Sequence, residues 1–108
     1  MKVADLYKIC TSSAEIDKSS CRFYLLGLFE GAGFEASTQK DESGNRVERK
    51  DKDKPYCVPD ELPVSAMEFL VKMRMGEDLV MFPQDSELAA AGFVMAIIQI
   101  QYPCHKAK

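Results

Sequence analysis

The side chains that could do chemistry in this chain are few and poorly spaced for it. The single histidine, His105, lies in a polar tail, and a Ser-His-Asp or Cys-His centre would have to be built around it. Its neighbour Cys104 is consumed if it enters a disulfide. The carboxylate pairs Asp60 with Glu61 and Glu77 with Asp78 are adjacent in expected loops, where both groups are solvated instead of flanking a bond to be cleaved. The run GLFEGAG falls within or after a helix, whereas a phosphate-cradling loop follows a strand. Cys10, Cys21, Cys57 and Cys104 include no CxxC, so the paired spacing of a structural zinc site is missing. No metal or cofactor is implied, and the chain reads as a binding protein, not an enzyme.

A chain of 108 residues makes one domain, and 46% hydrophobic against 29% charged residues is ordinary globular composition. A net charge of −3 with no basic run argues against nucleic acid, because phosphate binding rests on clustered Lys and Arg. The most apolar stretch, Leu88 to Ile98, is shorter than the roughly 18 to 20 residues that cross a bilayer, so no membrane insertion is expected. The N-terminal MKVADLYKIC is not a signal peptide, having no apolar h-region. The chain is then either cytosolic or a secreted protein without its leader. Four cysteines in a short chain favour two disulfides in an oxidising compartment; the alternative is four buried thiols.

Val3 to Ile9 has near-helical apolar spacing. Ser19 or Ser20 can cap a second helix from Cys21, whose apolar density (Phe23, Tyr24, Leu25, Leu26, Leu28, Phe29) predicts a central position and whose end is expected after Gly31. Lys40 to Lys54 holds six basic and five acidic residues, with Val47 as its only aliphatic one. Residues 37–56 therefore read as a flexible charged loop, ending in the extended PYCVPDELP. Ser65 and Glu68 form a capping box for a third helix that Gly76 ends as C-cap. Asp85 or Ser86 caps a fourth, LAAAGFVMAIIQIQY, ended by Pro103 and apolar nearly all round. Such a helix belongs at the centre of the domain, with part of its flank shared with a second copy in a homodimer.

No alternating strand pattern competes, so the expected fold is all-α: four helices in two hairpins. Pairing helix one with two brings Cys10 to Cys21, and pairing three with four brings Cys57 to Cys104. Of the three possible connectivities this selects 10–21 and 57–104.

A Cys in a short first helix, then CRFYLLGLFEGA, then YCVPDELPVSAMEFLV, then a helix ending at YPC resembles the Rap/Tai family of type VI secretion immunity proteins. The most specific pieces are Cys21 with Tyr24 and Gly27, the Cys57-Val58-Pro59 step, and Pro103-Cys104. The resemblance runs from about Leu6 to Cys104. It implies a small all-α periplasmic protein, dimeric, that binds a peptidoglycan amidase effector at each end and blocks its active site. It also implies that the leader has been removed and that the compartment is oxidising.

An inhibitor of a Cys/His amidase needs a protruding segment that fills the cleft, with acidic or polar groups near the enzyme's histidine. The segment that fits is Gly76 to Asp85, expected as a loop that presents Glu77, Asp78, Leu79, Met81, Phe82, Gln84 and Asp85 between two helix ends. Leu79 and Phe82 are the expected anchors within a polar rim. The rival reading from another class is a periplasmic disulfide-bonded chaperone or carrier. Met67, Met73, Met75, Met81 and Met95 would give it an adaptable surface.

Overall fold

The computed structural model describes residues 1–59 and 61–104. It contains four α-helices, α1 (Val3–Cys10), α2 (Glu15–Ser37), α3 (Val64–Met81) and α4 (Ala90–Gln101). It also contains a two-stranded antiparallel sheet, β1 (Thr38–Lys40) with β2 (Arg46–Glu48), and short 3-10 helices at Asp51–Asp53 and Pro83–Glu87. The fold is mostly helical, but the sheet means that the expected purely all-α class is corrected.

In α1, Val3, Leu6 and Cys10 recur at helical spacing and all three are buried. Its start is clamped to the segment before α4: the Val3 amide donates to Leu88 O at 2.9 Å and the Ala90 amide to Met1 O at 2.9 Å. Lys2 Nζ adds an ion pair to Glu87 Oε1 at 2.6 Å. These bonds satisfy the first amide of α4, and so Ala90 begins the helix behind a capless Ala89. Asp85 and Ser86, the expected caps, lie instead in the preceding 3-10 helix.

The α1–α2 turn is short. Thr11 Oγ1 donates back to Tyr7 O at 2.7 Å, and Ser12 Oγ accepts the Ala14 amide at 3.1 Å. Ala14 O then accepts the amides of Asp17 and Lys18, so α2 starts at Glu15 and the expected caps Ser19 and Ser20 are inside it. A Cys10–Cys21 disulfide, with Cα atoms 5.0 Å apart, fixes the hairpin. The second disulfide, Cys57–Cys104, joins the segment before α3 to the end of α4. Both pairings are those expected from the two helical hairpins.

The core is made by one face each of α1, α3 and α4 and the first half of α2: Val3, Leu6, Leu25, Val71, Val94 and Ile98 are wholly buried. The second helix is less central than its composition suggests. Only Cys21, Leu25 and Ala36 are buried, and Phe23 is 72% exposed. The helix also continues through Gly31 and Gly33 to Ser37. Its length of about 35 Å, at 1.5 Å per residue, carries its second half past the apolar faces that could cover it. Helix α4 likewise buries one face, Ala90, Val94, Ile97 and Ile98, and leaves Gly92, Ala96 and Ile100 open.

The charged segment orders itself without apolar burial. Asp41 Oδ1 accepts the amides of Ser43 and Asn45, both at 2.9 Å, and Gly44 takes φ +86°, closing the β1–β2 turn. Arg49 donates to Thr38 O at 2.8 Å, Glu35 O at 3.2 Å and Asp53 O at 3.3 Å. One guanidinium thus serves carbonyls at the C-terminal end of α2 and ties the hairpin to the helix.

Candidate functional site

The expected loop from Gly76 to Asp85 is for the most part helix. Helix α3 continues through Gly76 to Met81, with Phe82 as its C-cap. Gly76 has a different use from the expected C-cap: a Cβ there would lie 2.9 Å from the Tyr7 hydroxyl oxygen, so glycine lets α1 approach α3. The start of α3 also differs. Pro63 is the N-cap with no side-chain cap bond, and Glu68, expected to close a capping box, is turned to a part-buried ion pair. Its Oε1 meets Arg22 Nε and Nη2, each at 3.2 Å.

Of the expected binding residues, Glu77, Asp78, Leu79 and Met81 therefore sit on the last turns of α3. Phe82 caps it, and Gln84 and Asp85 lie in the 3-10 helix. The chain turns tightly here, with the Phe82 amide donating to Asp78 O at 2.7 Å and the Asp85 amide to Phe82 O at 2.9 Å. Met81 is 71% and Phe82 48% exposed. Leu79 packs against the core, so it is an internal support. The most exposed apolar residue of the tip, Val80 at 82%, is not among the expected binding residues. The expected helix end at Gly76 hid the register that turns Leu79 inward and Val80 outward.

Met81 and Phe82 border a groove of about 280 Å³ between the end of α3 and α4, with Phe93, Ile97 and Ile100 along its other side. Arg74 closes one end and donates through Nη2 to Gln101 Oε1 at 3.2 Å. The polar part of the tip is acidic. There is no basic residue in the last turn of α3, so Glu77 and Asp78 add to the partial negative charge of the helix end. Asp78 Oδ2 is buried and finds no donor. The carboxyl of Asp78 is held above its ordinary value by its hydrogen bond with Asp85, by burial, and by repulsion from the Asp85 charge.

Comparisons with protein-family models, with curated proteins and with solved structures return no match for this chain.

The chemistry available to the site is read from its own residues. All four cysteines are in disulfides. Among the described residues no cluster of three His, Cys, Asp or Glu side chains could hold a metal ion, and no helix is long and apolar enough to cross a membrane. His105 and Asp60 lie outside the described residues. Glu77 and Asp78, paired in sequence, diverge in space: Glu77 is exposed and Asp78 is half-buried against Asp85. What the tip offers is a projecting apolar edge, a groove behind it and negative charge around it.

Proposed function

We propose that this chain is a periplasmic immunity protein that binds a type VI secretion peptidoglycan amidase and inhibits it by seating the end of α3 in the enzyme's cleft. The observation that carries the reading is the exposed run Val80, Met81 and Phe82 at an acidic helix end. Exposed bulky anchors within a polar rim are the composition of binding hot spots. The acidic rim complements a cleft whose catalytic histidine carries positive charge during turnover. The cysteine and proline order that resembles Rap/Tai immunity proteins supports the same reading. So do the two intrachain disulfides, which suit an oxidising compartment. Homodimerisation is part of the proposal: the open face of α4 is uncharged, Gly92 and Ala96 leave room for close helix approach, and Ile100 supplies exposed apolar surface beside them.

Replacing Met81 and Phe82 together by Ala tests the tip. Neither side chain is buried, so the melting temperature should stay within a few degrees of the parent. Binding to the amidase should weaken by at least about tenfold. Unchanged affinity would remove the α3 end from the interface. The chaperone reading draws on the exposed Phe23, Phe69 and Ile100. It would be favoured if the chain suppressed aggregation of unfolded proteins and bound no amidase.

A further inference from the structure

We propose that the pocket between the α1–α2 turn and α3 binds an acidic segment of a protein partner, its carboxylate held by Arg22, Lys72 and Lys18. The site shares Tyr7, Lys72 and Met73 with the groove that leads to Val80 and Met81 at the α3 tip, but the inference does not depend on the partner being an amidase. Its volume, about 760 Å³, falls within the range of small-ligand sites and suits a few side chains.

Two crosslinks build its walls. The Cys10–Cys21 disulfide pins the turn that carries Thr11, Ser12 and Ser13 at the rim. The Arg22–Glu68 pair fixes a guanidinium across from it. The Glu68 side chain is 12% exposed and the Arg22 side chain 62%, so the carboxylate anchors from within and the cation faces the opening. Because Nε and Nη2 of Arg22 are both spent on Glu68 Oε1, Nη1 has no partner among the described residues. Lys72 has no ion pair among the described residues either. Lys18 has only an exposed contact with Glu15 at 3.8 Å, a kind worth little in water.

Three cations thus face one carboxylate in a chain whose net charge is −3. Holding the guanidinium in place beforehand removes part of the ordering cost of binding. Beside Lys72 on the same face of α3 stand Phe69, 65% exposed, and Met73, 42% exposed. Cations with exposed apolar side chains directly beside them fit a carboxylate next to an aliphatic side chain, which an acidic peptide segment supplies. Nucleic acid would require a longer track of cations than this one pocket provides.

The test is an NMR titration of the isotope-labelled, disulfide-intact protein with a capped Glu-Leu-Glu-Leu-Glu peptide and with its Gln-for-Glu counterpart. The acidic peptide should produce saturable shifts at the amides of Thr11 to Ser13, Arg22 and Phe69 to Met73, and the neutral one should not. The Lys18→Ala, Lys72→Ala double variant should bind the acidic peptide at least about fivefold more weakly at unchanged melting temperature. The milder Lys72→Gln serves if the double variant melts early, and should also weaken binding. Shifts that are absent, scattered over the surface, equal for both peptides or unaffected by the lysine changes would overturn the proposal.

Discussion

Gly76 marks where two helices meet at less than a side chain's distance. Alanine at an exposed helix position gains about 1 kcal/mol over glycine. Here that gain is opposed by the Tyr7 hydroxyl, 2.9 Å from the new Cβ. The Gly76→Ala variant should therefore be destabilised in the parent chain. In a Tyr7→Phe background the closest ring carbons are at 3.5 Å, an ordinary contact, and the same change should stabilise by about 1 kcal/mol. Chemical denaturation of the four chains reads the sign reversal. Asp78 gives a second prediction. Its carboxyl is raised by the Asp85 hydrogen bond, by burial and by the Asp85 charge. The native state therefore favours the protonated form. The stability this contributes is complete below the ordinary value of 3.8 and is lost as pH rises through the raised one. Asp78→Asn keeps a donor toward Asp85 without the charge. It should raise the melting temperature at neutral pH, flatten the pH profile above that value, and change little in acid.

At the scale of elements, the β1–β2 hairpin depends on Arg49 more than on its own sequence. Its strands are three residues each and Val47 is exposed, so cross-strand packing contributes little. Arg49→Ala removes the bonds to the backbone carbonyls of Glu35, Thr38 and Asp53 together. Amide exchange in Thr38–Glu48 should become faster, while the buried amides of α1, α3 and α4 exchange as before. Global stability should fall by about 1 kcal/mol. The hairpin was not legible because its ordering rests on polar contacts, Asp41 at the turn and Arg46 and Arg49 reaching back to Glu35 and Thr38, and no apolar alternation announces that. The start of α3 misled for a related reason. Ser65 and Glu68 have capping-box spacing, but the ion pair with Arg22, 46 residues away in sequence, takes the carboxylate inward. Helix existence was legible at all four sites, because apolar spacing is local. The bounds of α1 and the stop of α4 before Pro103 were legible too, whereas the start of α4 is set by the backbone of Met1 and α3 runs on through Gly76, which packs against Tyr7.

Across the whole molecule, the two disulfides were legible because hairpin connectivity leaves few ways to bring four cysteines together. They close loops spanning 11 and 47 residues, worth about 3 and about 4 kcal/mol in the chain-entropy model. That support is large beside the marginal stability of a domain this size, and it lets α2 and α4 keep apolar side chains in solvent. The candidate tip was legible as a place on the chain but not as a shape. Leu79 and Phe82 were expected to project together. The helical register half-buries Leu79 against the core and brings out Val80 and Met81 beside Phe82. This edge is the part of the molecule on which the immunity reading depends. The most direct measurement is an amidase assay on the peptidoglycan hydrolase that the disulfide-intact protein captures from an envelope extract of its source organism. Activity should fall to background at stoichiometric ratio and survive when Met81→Ala, Phe82→Ala is added instead. An amidase that stays fully active beside excess parent protein would contradict it.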